Sequence, residues 1–104
     1  MSERPTIVCL CGSTSLPRAF QEANFRETLA GKIVLSVGCS DKSDDELRIT
    51  EEQKGMLDEL HKRKIDLADE VLVLNVCGYI GSSTRSEIAY ALEHGKPVRY
   101  LEAP

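Results

Sequence analysis

The 104-residue sequence lacks any long apolar run, and no segment approaches the roughly 18 apolar residues that a membrane-spanning helix needs. Its opening, Met1-Ser-Glu-Arg-Pro5, carries no apolar signal core. The expectation is a cytoplasmic chain, kept in a reducing compartment with free thiols and no role at a membrane. Excess positive charge is missing as well: 13 Lys and Arg against 17 Asp and Glu leave a net charge of −4. A general binder of nucleic acid polymers needs a basic face, so that class is set aside. A nucleotide-sized ligand is not, because one pocket can hold a phosphate on backbone N–H groups. No Cys-x-x-Cys pair occurs and only 2 histidines are present, so the spacing gives no sign of zinc. The acidic stretch with Asp41, Asp44 and Asp45 lacks the central Gly and terminal Glu of a calcium loop and reads as a polar loop or lid. No metal or cofactor is expected. Gly-Lys-Ser/Thr and G-x-G-x-x-G are absent too, as are repeats, low-complexity tracts and linkers. Residues 1–104 therefore read as one domain.

What is present alternates. Thr6–Cys11 and Lys32–Val37 are short β-branched apolar runs stopped by Gly12 and Gly38. Glu70–Val76 is the strongest strand signal, and Pro97–Leu101 is a last short one. Helical patterns fill the gaps. Leu16–Ala30 has Ser15 as a cap, Pro17 in the first turn and Gly31 at its end. Thr50–Leu67 opens with Thr50 and Gln53 at capping-box spacing, and Thr84–His94 closes on Gly95. In the second helix Leu57, Leu60, Ile65 and Ala68 trace a stripe toward the sheet, with Lys64 the exception. The order β-α-β-α-β-α-β predicts an α/β fold, a mostly parallel sheet with helices on both faces. Cys9 and Cys11, two apart in a strand, share a face, and buried unreactive thiols are expected. Ligands of such sheets sit beyond the carboxyl ends of the strands. That geometry selects the loops Gly12–Ser15, Gly38–Arg48 and Cys77–Ser83.

The richest of these loops runs from Gly78 through Tyr79, Gly81, Ser82, Ser83, Thr84 and Arg85 to Glu87. Its glycines allow close approach, and its hydroxyls stand where free N–H groups favour an anion. Glu87 carries two readings. Thr84-x-x-Glu87 matches a capping box. A carboxylate at a sheet's carboxyl edge also suits a nucleophile at an anomeric carbon. Gly12, Ser13 and Thr14 make either a helix-capping turn or a contact to sugar or phosphate. His61 lies beside Lys62, Arg63 and Lys64, on a solvated basic face or, with Leu57 and Ile65 as stripe partners, half-buried near the cleft as a general acid.

The segment Ala68-Asp-Glu-Val-Leu-Val-Leu-Asn75, the Gly/Ser loop, and Ser86-Glu-Ile-Ala-Tyr-Ala-Leu-Glu-His-Gly-Lys96 resemble the nucleoside 2-deoxyribosyltransferase superfamily. Cys11-Gly-Ser-Thr14 is similar to the opening turn of the related 2′-deoxynucleoside 5′-monophosphate N-hydrolases. Ala89 stands where the family has a glycine after its glutamate. The resemblance implies a flavodoxin-like, Rossmann-like three-layer sandwich with four strands here, in the order 2-1-3-4. It implies a hydrolase or transferase of N-glycosidic bonds with a nucleoside or nucleotide as partner molecule. Glu87 is the implied nucleophile, and His61 or Asp66 falls where a further catalytic group belongs. The implied binding set is Gly12, Ser13, Thr14, Asn75, Gly78, Tyr79, Gly81, Ser82 and Ser83. Active sites of the family are often completed by a neighbouring subunit, which implies a homodimer or higher homo-oligomer. The alternative is a non-catalytic nucleotide-binding or sensor module of the same fold.

Overall fold

The apolar runs become strands because β-branched residues suit a pleated, buried surface. The computed structural model describes residues 4–13, 15–37 and 50–103. Thr14 and the acidic stretch from Cys39 to Arg48 lie outside the described residues, as does Gly38. Within them stand β1 (Ile7–Cys11), β2 (Ile33–Leu35), β3 (Glu70–Val73) and β4 (Val98–Tyr100). Helices α1 (Pro17–Leu29), α2 (Glu51–Leu67) and α3 (Ser82–Glu93) join them, with a short 3-10 turn at Val76–Gly78. Every strand pairing is parallel and the order is β2-β1-β3-β4. This is the expected 2-1-3-4 flavodoxin-like sheet.

The two-residue period of the strands sorts the core into two layers. Val8 and Leu10 of β1 and Leu72 of β3 pack with Leu74 against Phe20 and Ala23 of α1. Cys9, Cys11, Val71 and Val73 face the other way, against Ile65, Ala68 and Ala91. Helices therefore cover both faces, and Val8 through Cys11 are fully buried. The chain leaves β1 toward β2, while β3 lies on the other side of β1. The loops after β1 and β3 thus diverge at one edge and open a crevice there.

Local chemistry sets the element ends. Thr50 and Gln53 form both hydrogen bonds of the capping box at the start of α2. Asp69 accepts from the Ile7 N–H at 2.8 Å and pairs with Arg4, which fastens the start of β1 to the start of β3. Ser15 does not cap α1. Leu16 holds that position without a side-chain bond, and Pro17 begins the helix, because the Ser15 N–H and hydroxyl both meet the Ser13 hydroxyl, at 3.2 and 2.7 Å. The expected apolar stripe of α2 holds only in its second half. Ile65 and Ala68 are buried, but Leu57 and Leu60 are 41% and 49% exposed. The cause is length: a helix of 17 residues is about 25 Å long, whereas a strand of 5 residues spans about 17 Å. The amino-terminal half of α2 overhangs the carboxyl edge of the sheet. Among the described residues no helix is long and apolar enough to cross a membrane.

Candidate active site beneath the first strand

Glu87 faces inward for a reason of helix register. Gly81, not Thr84, occupies the cap position of α3, with no side-chain cap bond. Thr84 is then the third helical residue and Glu87 the sixth, so the expected first-turn capping box does not form. Thr84, Glu87 and Ala91 follow helical spacing and are the buried residues of α3. Glu87 retains only 7% of its exposure, and its Oε1 has no hydrogen-bond partner.

His61 reaches the same place from α2, one turn before Ile65. It is buried, and its Nε2 lies 3.3 Å from Cys11 Sγ, 3.6 Å from Cys9 Sγ and 3.7 Å from Glu87 Oε1. The half-buried histidine foreseen for the cleft is thus a fully packed one. Two helices and the central strand bring a carboxylate, an imidazole and two thiols together under the last residues of β1. Cys9 and Cys11 do share one face and are buried, as the strand period requires.

Burial and charge act on this cluster together. A hydrogen bond from the Cys11 thiol and the neighbouring imidazole pull Cys9 down to about 5 against the effect of burial. The same bond to Cys9, together with burial, holds the Cys11 thiol well above its ordinary value. For His61, burial alone favours the neutral ring, but the hydrogen bond and charge of Cys9 and the charge of Glu87 raise it overall. Burial raises Glu87 against the pull of His61 and Cys11. These directions favour the charged forms of Cys9 and His61 and the neutral form of Glu87.

The other residues singled out in the sequence divide. Ser82 and Ser83 are the first residues of α3, where backbone N–H groups have no intrahelical partner. Gly78 adopts φ 77° after Cys77 at φ 54°, the left-handed turn that lets the loop double back before the helix. Tyr79 is exposed, and its hydroxyl lies where a Cβ on Gly81 would meet it at 3.1 Å. Ser13 stands at the end of β1, bonded to Ser15. Gly12 is a packing glycine: a Cβ there would stand 3.1 Å from Leu74 Cβ and 3.4 Å from the Phe20 ring. Asn75 is buried and engages Glu102 twice, Nδ2 donating to its carbonyl and Oδ1 accepting its N–H, each at 2.9 Å. Asp66 does not join Glu87. It accepts from the Tyr90 hydroxyl at 2.7 Å and pairs with Arg63 on the outer side of α2.

Cys9 and Cys11, expected only as buried unreactive thiols, lie against His61 and belong to the cluster. Their spacing of two on a strand gives their shared face, but nothing in it points to the histidine opposite. A groove of about 450 Å³ also opens at the carboxyl edge, on the α1 side of the sheet, lined by Ser15, Leu16, Arg18, Arg26, Val76 and Leu101 among others. It lies across the sheet from the Glu87 cluster, and the two are distinct features. Comparison with protein-family models, with curated proteins and with solved structures gives no match.

Proposed function

We propose that the chain cleaves or transfers the N-glycosidic bond of a nucleoside or nucleoside 5′-monophosphate, with Glu87 as nucleophile. One observation carries the reading: Glu87 is a buried carboxylate that caps nothing, keeps an oxygen without a hydrogen bond and lies 3.7 Å from a buried imidazole. An unsatisfied buried polar group costs on the order of 1–3 kcal/mol, and such costs concentrate at functional sites. A catalytic use accounts for this one.

In the reaction, the carboxylate oxygen of Glu87 attacks C1′ as the C1′–N bond breaks. The base leaves with a proton donated by the His61 imidazolium, a role supported by the raised pKa of that ring. Water, giving its proton back to His61, or a second base then attacks C1′ and frees Glu87. Ser82, Ser83 and Ser13 follow adjacent strands and hold a 5′-phosphate or hydroxyl, with Gly78 and Gly81 permitting close approach. The reading takes the protein to be cytoplasmic and homo-oligomeric, without affinity for nucleic acid polymers. Light scattering on the purified chain checks the oligomer.

The second reading, a nucleotide-binding module without turnover, draws on the engagement of Asp66 by Tyr90 and Arg63, which leaves one carboxylate at the cluster. Incubation with ribo- and deoxyribonucleosides and their 5′-monophosphates, followed by chromatography of free base, separates the two. Base release that vanishes in Glu87→Gln supports the enzyme. Thermal stabilisation by one nucleotide without base release supports the module.

A further inference from the structure

The cluster beneath β1 has a geometry that hydrogen bonding does not account for. Cys9 Sγ, Cys11 Sγ and Glu87 Oε1 all stand within 3.7 Å of one atom, Nε2 of His61. An imidazole nitrogen carries one in-plane hydrogen or one lone pair, so it serves one of three such neighbours well. Glu87 Oε1 is left without a partner, its side chain only 9% exposed. Four heteroatoms converging on one small volume is an arrangement that a shared cation would satisfy.

We infer that Cys9, Cys11 and His61 form a binding site for Zn²⁺, with the Glu87 carboxylate beside the fourth position. The three ligand atoms lie within 4.8 Å of one another. In a tetrahedral zinc site, with Zn–S of about 2.3 Å and Zn–N of about 2.0 Å, sulfur and nitrogen ligands stand about 3.5 Å apart. The two S···N separations here, 3.6 and 3.3 Å, bracket that value. The donor set is also the right one. Two thiolates and an imidazole favour zinc over magnesium or calcium, which take oxygen. The spacing is not that of a zinc knuckle, because the pair is Cys-x-Cys on a strand rather than Cys-x-x-Cys on a turn. A strand turns its residues to one face every second position, so Cys9 and Cys11 present both sulfurs to α2.

The test uses the whole chain, unfolded with a thiol reductant and chelator and refolded with or without one equivalent of Zn²⁺, since the thiols are closed off in the folded state. Zinc is then counted after desalting, and Co²⁺ replaces Zn²⁺ in a parallel preparation. The expected result is one zinc per chain, a raised melting temperature that a chelator reverses, and a thiolate-to-cobalt charge-transfer band with the visible bands of tetrahedral cobalt. The Cys9→Ser and Cys11→Ser variants lose the metal, whereas Cys77→Ser keeps it. Because the first two variants can fail to fold, X-ray absorption of the zinc-loaded wild type provides an independent count of two sulfurs in the coordination shell. Absence of retained zinc after refolding, a shell without two sulfurs, or undiminished zinc in Cys9→Ser/Cys11→Ser overturns the inference. Zinc on His61 Nε2 would displace the proton that the glycosidic reading assigns to that ring, so the two roles exclude each other in one molecule. Base release is therefore assayed separately on zinc-free protein, and failure of the glycosidic reading leaves the zinc count untouched.

Discussion

Glu27 and Glu87 are almost equally buried, at 5% and 7% exposure, and they have opposite surroundings. Glu27, on α1, accepts from Arg99 at 2.6 Å and from Lys32 at 3.3 Å, and both cations also hold Glu70, at 2.8 and 2.9 Å. Two acids and two bases close into one network at the amino-terminal edge of the sheet, where only Arg99 Nε lacks a partner. Burial pushes Glu27 up, but the two cations overcome it and hold the group below its ordinary value. Glu87, on the opposite face and toward the carboxyl edge, meets one imidazole and two thiols, and burial wins. A buried acid with its full complement of partners is part of the scaffold. A buried acid left with a bare oxygen marks a place where something else is to be bound.

The largest effect that could break this contrast is catalytic. If the glycosidic reading holds, Glu87→Gln lowers base release by three or more orders of magnitude, on the scale of nucleophile loss in covalent enzymes. Its melting temperature should hold steady or rise, since the variant no longer buries an ionisable group. A stopped assay and a thermal melt on one preparation read both. Glu27→Ala should do the reverse, leaving turnover in place while denaturant unfolding reports a loss of about 2 kcal/mol, because two cations lose a buried partner that Glu70 only partly replaces.

The pH dependence of stability sharpens the same comparison. Glu27 and Glu70 have folded-state values below their ordinary 4.5, lowered by Lys32 and Arg99 against burial. Their stabilisation is therefore complete above that value and is lost as pH falls through the lower folded-state values. Unfolding curves should steepen in their decline below about pH 4.5. Glu27→Gln should flatten this limb, whereas Glu87→Gln should leave it. The smallest effect lies outside both clusters. Cys77 sits at φ 54°, a left-handed backbone that costs a side-chain-bearing residue about 1 kcal/mol, so Cys77→Gly should stabilise by somewhat less than that in a thermal melt.

The sheet was legible because its signals are local. Apolar β-branched runs, the glycine stops and the Thr50–Gln53 capping box each act over a few residues, and alternation then leaves few topologies. The site was legible in part. His61 inherits its direction from Ile65 one turn away, a local relation. Glu87 was placed on the right element but in the wrong turn, because three consecutive hydroxyl residues, Ser82, Ser83 and Thr84, each offer a cap and none forms one. The convergence of α2 with β1 was not legible, since it joins residues 50 and 52 positions apart. Asn75 read as a ligand contact on the family resemblance alone. Its partner, Glu102, lies 27 positions away and no short pattern announces it. The exposed Leu57 and Leu60 depend on how far a helix outruns its sheet, which helical periodicity alone does not encode.

The most direct test of the claim that Glu87 is a working carboxylate is base release from a panel of nucleosides and 5′-monophosphates by zinc-free wild type beside Glu87→Gln. The account predicts release from at least one substrate by the wild type and none by the variant, with both chains equally folded by circular dichroism. Equal release by the two, or none by either, would contradict it.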